Sequence, residues 1–475
     1  MTKKIVIIGA GPGGYVAAVR AARMGGQVTL VEKDTVGGTC LNRGCIPSKV
    51  MHTTASFMDE LHRARTLAVA IEGGCDLDMA GLMERKDKVV QAQVRGIRGL
   101  LKQNGVELVS GAAYISGPGS LDVTGGDGTA TCLEWDRLIL ATGSSPLEVP
   151  SLAFDHQQIL SSDDIFTLKE LPPSMVIVGG GVIGCEFASI FASLGTRITL
   201  VEALDRLLPL PSVDADSSKV LLREMKKKKI KVYLQHTVDT IQTGEDDLLV
   251  TISPLKKGGQ ASRTEPINVR AAKVLVCIGR QPNSAGLGLE NLGVECDRRG
   301  WIMANARMQT SVEGVYAIGD ALGPEKVMLA HVASAEAEVA AANAMGGNAA
   351  MNYNAVPGAV FTLPEVADVG LTAARAAEQG IEAGEATVLF RVLGKAQAMG
   401  HLAGQAKIVW EKDSRRVLGV HLIGAHATDL IAEGTLAVAN GLTVDDLART
   451  IHAHPTLAEA MAEVSFKALG DPLHG

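Results

Sequence analysis

Two cysteines, Cys40 and Cys45, are the residues whose type and spacing point most directly to chemistry. They stand five positions apart in the segment CLNRGC. In a regular helix, residues i and i+5 point about 140° apart and their Cα atoms lie about 8 Å from each other, whereas a disulfide needs Cα atoms within about 7 Å. The pair therefore closes only if the backbone departs from a helix, and Gly44 gives it that freedom. A strained disulfide is typical of a working redox couple, with a structural disulfide as the alternative.

A dithiol couple needs a group that moves protons, and the candidates are His452 and His454, which precede Glu459. A histidine with a pKa near neutrality can take the proton of an incoming thiol and return it. A carboxylate on its other ring nitrogen fixes the tautomer. The residues alone do not choose between the two histidines, and such a pair is also compatible with a metal site or with ordinary surface histidines. No metal is predicted at the cysteines, because no second cysteine pair or nearby histidine completes four zinc ligands.

Two glycine-rich fingerprints supply the elements that must position these groups. In both copies an apolar strand precedes the glycines, a helix and a second strand follow, and an acid stands 18 positions after the third glycine. Such glycines allow a tight turn, close approach of a pyrophosphate and helix–strand packing, and the helix N-terminus binds the phosphate. Two copies in this context predict two dinucleotide sites. The residues are Gly9, Gly11, Gly14 and Glu32 in the first copy, and Gly179, Gly181, Gly184 and Glu202 in the second.

The acids and the cysteines assign the two dinucleotides. Glu32 and Glu202 can each accept hydrogen bonds from an adenosine ribose, and a carboxylate repels a 2′-phosphate. Because no arginine immediately follows Glu202, the second site is predicted to favour NAD over NADP. Two dinucleotide sites in one chain indicate a relay between a tightly held flavin and an exchangeable nicotinamide. Cys40 and Cys45 lie within the first unit, so FAD is predicted there.

The length of 475 residues predicts roughly three domains at about 150 residues each. With 47% apolar and 20% charged residues, the chain can bury a large core. The predicted fold class is α/β, with two Rossmann-like dinucleotide-binding domains and a C-terminal α+β domain. The predicted boundaries are 1–145 for the first part of the FAD-binding domain, 146–272 for the NAD-binding domain, 273–345 for the second part of the FAD-binding or central region, and 346–475 for the C-terminal domain.

Charge and hydropathy exclude several classes of partner. The net charge of −7 argues against a nucleic-acid surface. No stretch approaches 18 uninterrupted apolar residues, so no membrane span is expected, and the glycines from residue 9 interrupt the apolar run near the N-terminus, so a cytoplasmic location is predicted. The basic run 226–229 is interpreted as a solvated helix end, with a partner-docking patch as the alternative. Five scattered cysteines are predicted to be buried thiols, namely Cys75, Cys132, Cys185, Cys277 and Cys296.

With these motifs in this order, the chain resembles the pyridine nucleotide–disulfide oxidoreductases, and within them the dihydrolipoamide dehydrogenases. The resemblance covers essentially the whole chain. It rests on GGTCLNRGCIPSK (37–49), the second fingerprint (177–186), AIGD (317–320), MLAH (328–331) and HAHPTLAE (452–459).

The resemblance implies unequal roles for the reactive residues. It makes Cys40 the sulfur that exchanges with substrate and Cys45 the sulfur that faces the flavin. It makes His454 the base and Glu459 its orienting partner, and leaves His452 a supporting role.

The resemblance also implies the cofactor contacts. Lys49 is expected near the flavin N5, paired with Glu186. The other expected FAD contacts are Lys33, Thr39, Thr142, Gly143, Ser144, Asp320, Met328, Leu329, Ala330 and His331, with Gly111 and Ala113 near the adenine. Beside the second glycine fingerprint, the expected NAD contacts are Val182, Ile183, Val238 and Gly279.

The implied reaction is NAD⁺-dependent oxidation of protein-bound dihydrolipoamide through the Cys40–Cys45 disulfide and FAD. The implied assembly is a homodimer through a C-terminal dimerisation domain, with each active site built from two chains. Its partner would be a lipoyl-bearing protein of a 2-oxo acid dehydrogenase or glycine-cleavage complex. The alternatives are another FAD-dependent disulfide reductase that uses NADPH, which Glu202 opposes, and a non-catalytic flavin- and NAD-binding redox sensor. Arg43 replaces a commoner small apolar residue and is expected to favour a thiolate at either sulfur.

Overall fold

The computed structural model describes residues 2–244, 247–255 and 265–474. The first unit is a parallel sheet flanked by helices. A small antiparallel sheet is inserted before the last parallel strand that this part of the chain contributes. Its elements are β1 (Lys4–Ile8), α1 (Pro12–Arg23), β2 (Gln27–Glu32), α2 (Gly38–Arg43), α3 (Cys45–His62), α4 (Met79–Gln103), β3 (Glu107–Ser110), β4 (Ala112–Gly117), β5 (Ser120–Thr124), β6 (Ala130–Glu134) and β7 (Arg137–Leu140).

The second unit follows a short strand, β8 (Ser144–Pro146). It is again a parallel sheet with an inserted antiparallel sheet. Its elements are β9 (Ile159–Leu160), β10 (Ser174–Val178), α5 (Val182–Leu194), β11 (Arg197–Glu202), α6 (Ala215–Lys227), β12 (Lys231–Leu234), β13 (His236–Thr243), β14 (Leu248–Pro254), β15 (Ile267–Ala271) and β16 (Lys273–Val276).

The repeat that the fingerprints predicted extends through both units. In the first unit, β1 lies between β2 and β7, and in the second β10 lies between β11 and β16, with all of these pairs parallel. The antiparallel insertion β4-β5-β6 connects β3 to β7 in the first unit, and β13-β14-β15 connects β12 to β16 in the second. The central strands are buried almost throughout, as expected for parallel strands covered on both faces. In the second unit one face of β10 packs in the core that contains α5, and the other packs against the β13-β14-β15 insertion.

The chain then returns to the first unit through β17 (Arg280–Pro282), β18 (Val315–Ala317) and α7 (Ala330–Ala344). β18 adds to the first sheet beside β7, and α7 packs against α1. The predicted boundary at residue 272 is corrected by β16, because Lys273–Val276 pairs with β10 inside the second sheet. The boundary after residue 145 falls within β8, which pairs with β17, so the two connections between the units form one ladder.

The C-terminal domain is an antiparallel sheet in the order β19-β20-β23-β22-β21, packed against helices α10 and α12. This agrees with the α+β prediction. Its elements are β19 (Gly358–Val360), β20 (Glu365–Gly370), α8 (Ala373–Glu378), β21 (Ala383–Leu389), α9 (Gly394–Met399), β22 (Gln405–Glu411), β23 (Val417–Gly424), α10 (Ala427–Asn440), α11 (Val444–Arg449) and α12 (Glu459–Ala468).

The scattered cysteines do not share one environment. Cys185 is buried in α5, as predicted, and Cys277 is partly buried. The prediction is wrong for Cys75, Cys132 and Cys296, which are exposed because they lie in connections or on the edge strand β6 rather than in sheet cores. Within the described residues, no helix combines the length and the apolar character that a membrane span requires.

Candidate functional site

The first glycine fingerprint forms the turn between β1 and α1. Gly9 has φ +101°, and a Cβ atom on it would lie 2.4 Å from the Ala141 carbonyl oxygen, while one on Gly14 would lie 1.7 Å from the Gly9 oxygen. Both positions therefore exclude a side chain. Around Gly11 the nearest atom to such a Cβ is the Gly38 Cα at 4.0 Å, and α1 begins here without a side-chain cap. This open, uncapped helix N-terminus fits a pyrophosphate.

The second fingerprint repeats this geometry between β10 and α5. Gly179 has φ +109°, and a Cβ on it would lie 2.3 Å from the Cys277 carbonyl oxygen, while one on Gly184 would lie 1.9 Å from the Gly179 oxygen. Nothing lies within 4 Å of a Cβ on Gly181, and α5 also begins without a side-chain cap. Both loops thus present the same kind of anion cradle.

The acid that follows each fingerprint is held against its glycine loop. Glu32 accepts the N–H of Ala10 at 2.7 Å, and Glu202 accepts the corresponding N–H of Gly180 at 2.5 Å. The other oxygen of each carboxylate accepts an N–H two residues further on, at 2.8 and 2.7 Å. Since an ionised carboxylate has about four acceptor sites, each acid retains capacity for ribose hydroxyls.

The two cysteines lie on either side of a break between helices. α2 ends at Arg43 and α3 begins at Cys45, with Gly44 between them at φ −148° and ψ −116°. A Cβ on Gly44 would lie 2.9 Å from the Thr39 carbonyl oxygen and 3.2 Å from the Cys40 Cα. The expected departure from helical geometry is confirmed, and glycine is required because the neighbouring backbone fills the space.

A hydrogen bond between the two thiols divides their acidities. It lowers the pKa of Cys45 to about 7 and raises the pKa of Cys40, while the Lys49 ammonium favours the thiolate. Cys45 is also the first residue of α3, where the helix N–H groups favour an anion. These directions favour the thiolate on Cys45 and the proton on Cys40 in the reduced pair.

Lys49 lies one turn after Cys45 on α3 and is held by other parts of the fold. Its Nζ lies 2.9 and 3.1 Å from the two carboxylate oxygens of Glu186, so the expected pairing is present. The same Nζ lies 4.2 Å from the centroid of the Phe361 ring, and the Phe361 N–H donates to Glu186 Oε1 at 2.9 Å. Phe361 was not predicted as a site residue, because this contact brings together elements far apart in the chain.

Arg43 points to carboxylates and not to the sulfurs. Its guanidinium donates to Asp34, and its Nε lies 3.6 Å from Asp163 Oδ2. Two acids thus match its charge, and the cation that acts on both thiols is Lys49. The thiolate stabilisation expected of Arg43 therefore comes from Lys49.

The strand ends after β7 and β18 meet at Ser144 and Asp320. The Ser144 hydroxyl donates to Asp320 Oδ2 at 2.8 Å, and Arg280 donates to the Ser144 hydroxyl and carbonyl at 2.6 and 2.7 Å. Near them, Thr142 Oγ1 is buried without a hydrogen-bond partner among the described residues. An orphaned hydroxyl beside the turn at Gly143 fits a bound polar group. Arg280 was missed from sequence because no local pattern shows that its side chain reaches β8.

Glu336 on α7 was also missed, and it fixes the turn that carries Asp320. Its carboxylate accepts the Gly319 N–H at 2.6 Å and the Tyr353 hydroxyl at 2.6 Å. Burial raises the pKa of Glu336. In the sequence it is one acid in an alanine-rich helix, and only the packing of α7 shows that it faces inward.

The remaining predicted cofactor residues lie in the two nucleotide units and in the segment that returns to the first unit. The Gly111 N–H donates to the Glu32 carbonyl at 2.9 Å, which places the start of β4 beside the end of β2. His331 in the first turn of α7 bonds the Pro357 carbonyl through Nε2 at 3.0 Å. The others are Ala113 in β4, Lys33 after β2, Thr39 in α2, Met328 and Leu329 before α7, Ala330 at its start, Val182 and Ile183 at the start of α5, Val238 in β13 and Gly279 before β17.

The two candidate histidines differ sharply in their surroundings. His452 is only 7% exposed, and its ring nitrogens bond the Thr450 carbonyl at 2.9 Å and Glu433 at 2.8 Å. His454 is 76% exposed, and its Nδ1 bonds Glu459 Oε1 at 2.8 Å. In the part of the chain that the structure describes, the other ring nitrogen of His454 makes no hydrogen bond. His454 thus has the free nitrogen that a base requires.

The carboxylate behind His454 is itself oriented. Glu459 Oε2 accepts the Thr456 N–H at 2.9 Å. Burial acts to raise the pKa of Glu459, but the hydrogen bonds from His454 and Thr456 outweigh it and lower that pKa. Among the described residues of this single chain, no hydrogen bond or ion pair joins the histidine segment to Cys40 or Cys45. The described residues also contain no cluster of three or more potential metal ligands.

Comparison with known proteins gives full-length matches. Dihydrolipoyl dehydrogenase of Chlamydia muridarum is 41% identical over 471 residues, covering 99% of this chain and 97% of the relative. Dihydrolipoyl dehydrogenase of Halobacterium salinarum is 42% identical over 473 residues, with the same coverage. Among solved structures, LpdA of Mycobacterium tuberculosis superimposes with a TM-score of 0.89 at 29% identity, covering 98% of this chain and 99% of that one.

The family comparison separates the two nucleotide units from the C-terminal domain. Residues 3–337 match the family described as pyridine nucleotide-disulphide oxidoreductase, and residues 356–465 match its dimerisation domain. The second match supports a homodimer formed through the C-terminal domain. The chain therefore belongs to the pyridine nucleotide-disulphide oxidoreductase family.

Proposed function

We propose that this chain oxidises dihydrolipoyl groups, with FAD in the first nucleotide unit and NAD⁺ in the second. The observation that carries the proposal is the asymmetric dithiol beside the first glycine fingerprint. Cys45, with its pKa lowered to about 7, is a good leaving thiolate, whereas Cys40 retains its proton. The naming of full-length relatives as dihydrolipoyl dehydrogenases supports this substrate over other disulfides.

NAD is the coenzyme that the second unit favours. The carboxylate of Glu202 would repel a 2′-phosphate. The nearest following arginine, Arg206, donates to the Val213 and Leu210 carbonyls and to the Ser218 hydroxyl at 2.8–3.0 Å. Its guanidinium is thus engaged by the chain itself, which supports NAD over NADP.

The first half of the reaction is a pair of thiol–disulfide exchanges. His454 takes the proton of one dihydrolipoyl thiol, and the resulting thiolate attacks Cys40 and releases Cys45 as thiolate. The second dihydrolipoyl thiol, after releasing its proton to solvent, attacks the substrate sulfur of the mixed disulfide. That step forms the lipoyl disulfide and releases Cys40, which recovers a proton from His454. The substrate loses two electrons and two protons, and the cysteine pair gains the two electrons.

The second half restores the disulfide. When bound, FAD and NAD⁺ would accept this electron pair, and the proton that Cys40 loses as the disulfide re-forms balances the hydride that the nicotinamide gains. Cys45 holds the negative charge meanwhile, stabilised by Cys40, the α3 N-terminus and Lys49. The expected cofactor residues fit this role through the open loops at Gly11 and Gly181.

Each active site is proposed to combine two subunits. His454 is too exposed to serve a buried structural role in one chain, and Ile451, three residues earlier, is 97% exposed. Leu436 on α10 is exposed as well. An exposed apolar side chain beside a free histidine supports an interface that brings His454 to the cysteines of the other subunit. The proposed partner is a lipoyl-bearing protein of a 2-oxo acid dehydrogenase or glycine-cleavage complex, and a cytoplasmic location stays a prediction.

The deciding experiment is an anaerobic assay of the purified FAD-loaded protein with dihydrolipoamide and either NAD⁺ or NADP⁺. We expect NADH formation, and NADP⁺ turnover at least about tenfold slower because the carboxylate of Glu202 disfavours the phosphate. The Glu202→Gly variant should reduce the difference between the NAD⁺ and NADP⁺ rates. Absence of NADH formation together with brisk NADPH oxidation by another disulfide would show that the chain is a different disulfide reductase.

A further inference from the structure

The Lys49 ammonium lies where three parts of the fold meet. Lys49 belongs to α3 of the first unit, Glu186 belongs to α5 of the second unit, and Phe361 follows β19 of the C-terminal domain. The ammonium contacts both carboxylate oxygens of Glu186 and the face of the Phe361 ring. A small movement of any domain would thus move the cation that acts on both thiols.

Phe361 restrains this ion pair in two separate ways. Its ring presents a π-face to Nζ at 4.2 Å, within the range of a cation–π contact. Its backbone N–H donates to Glu186 Oε1 at 2.9 Å and so fixes the carboxylate that holds the lysine. The side chain of Glu186 is 9% exposed and that of Lys49 is 30% exposed, so the ion pair that Phe361 contacts is largely removed from water.

His52 lies one turn after Lys49 on α3 and packs edge-on against the same ring, with centroids 6.0 Å apart and ring planes at 81°. Its Nε2 is buried without a hydrogen-bond partner among the described residues. Burial lowers the pKa of His52, so the ring is neutral near pH 7 and adds no competing charge. His52 therefore acts on Phe361 through packing.

We propose that Phe361 is a positioning residue for the redox pair, holding the Lys49–Glu186 ion pair beside Cys45, with His52 packed edge-on against its ring. The proposal rests on the function proposed above. A segment of the C-terminal domain thus affects thiol chemistry that takes place in the first unit. The titratable groups that act on Cys45 are Cys40, Lys49 and Glu186, and those that act on His52 are Glu365, Glu186 and Lys49.

The test measures the acidity of Cys45 without turnover. In FAD-loaded Cys40→Ser protein, Cys45 is the remaining thiol of the pair and the serine hydroxyl still offers a hydrogen bond. Its ionisation is followed by the visible absorption of the bound flavin against pH, and independently by the rate of iodoacetamide alkylation at Cys45. Phe361→Leu should raise the pKa of Cys45 by about half a unit to one unit and slow alkylation about three- to tenfold below that pKa.

Further variants separate positioning from folding. Phe361→Tyr retains the π-face, so the pKa of Cys45 should be the same as with Phe361 in place. Phe361→Met fills the space without a ring, so it should raise that pKa as Phe361→Leu does. The matched control is Phe154→Leu, because Phe154 also pairs with a histidine at 6.0 Å but lies away from Lys49. It should leave the titration unchanged. FAD content, read from the absorbance ratio, shows which variants are folded.

Two results would overturn the proposal. One is an unchanged Cys45 titration in the FAD-loaded leucine and methionine variants at Phe361. The other is an equal shift in the tyrosine variant, which would mean that shape and not the π-face matters. Because these titrations need no substrate, they stand apart from the dihydrolipoamide assay, whose failure would refute the proposed function instead.

Discussion

Replacing His454 and His452 separately should produce opposite patterns of damage. His454→Ala removes the group with a free ring nitrogen and little buried packing, because the side chain is 76% exposed. Loss of a positioned base costs about 10²–10⁴-fold in rate, equivalent to about 2.7–5.4 kcal/mol of transition-state stabilisation. We therefore expect kcat/KM for dihydrolipoamide to fall by that factor, with the unfolding midpoint nearly unchanged.

His452→Ala should do the reverse. Its side chain is 7% exposed and both ring nitrogens are engaged, with Thr450 and Glu433. Removing it deletes a buried side chain and two hydrogen bonds, at about 1 kcal/mol for each bond because Glu433 is 28% exposed and Thr450 is exposed. We expect a lower unfolding midpoint in urea and less than about a tenfold loss of kcat/KM.

The assay pairs dihydrolipoamide oxidation with NADH-dependent reduction of an electron-accepting dye. The dye reaction uses the nucleotide sites but requires no proton transfer from a dithiol substrate, so His454→Ala should retain it. Glu459→Gln should show a smaller version of the same split, because the amide keeps the shape but loses the charge that orients the ring. Similar loss of both reactions in His454→Ala, or a rate with dihydrolipoamide within tenfold of the unmodified protein, would refute the base assignment.

Three further outcomes concern stability and thiol acidity. Lys407→Met should lower the free energy of unfolding in urea by about 3–5 kcal/mol, because the lysine side chain is 4% exposed and its Nζ lies 2.9 Å from Oδ1 of the buried Asp214. A loss below about 1 kcal/mol would contradict this. Arg43→Gln should leave the pKa of Cys45 near 7, whereas Lys49→Met should raise it, as measured by alkylation against pH. Since this folded-state pKa lies below the ordinary thiol value of about 8.5, the reduced protein should gain stability as pH rises from about 7 to about 8.5 and lose it as pH falls, relative to Cys45→Ser.

Much of the fold could be predicted because its signals are local. The two fingerprints place glycines where a Cβ would strike the backbone, as at Gly14 and Gly184, and such constraints show directly in sequence spacing. The break at Gly44 is also local, since it follows from the distance that a disulfide allows. The boundary at residue 272 failed because β16 joins its sheet by pairing with β10, which is almost a hundred residues away.

The electrostatics of the site could not be predicted in the same way. Arg43 is closer in sequence to both sulfurs than Lys49 is to Cys40, yet its charge is matched by Asp34 and Asp163. Proximity along the chain did not give the direction of a flexible side chain. Only the positions of the surrounding acids show which cation acts on the thiols.

The sequence by itself determined the chemistry that is available: a cysteine pair across a glycine, two glycine loops that fit dinucleotides, and a histidine with a carboxylate five residues later. These depend on residue types and short spacings, which a local backbone can satisfy. The tertiary structure decided which of these groups are free to react and which charges surround them. It left His454 free and enclosed His452, matched Arg43 with acids, and brought Glu186 and Phe361 to Lys49. The physical reason is that the acidity of a thiol and the freedom of a ring nitrogen depend on neighbours within a few ångströms, and folding draws those neighbours from distant parts of the chain.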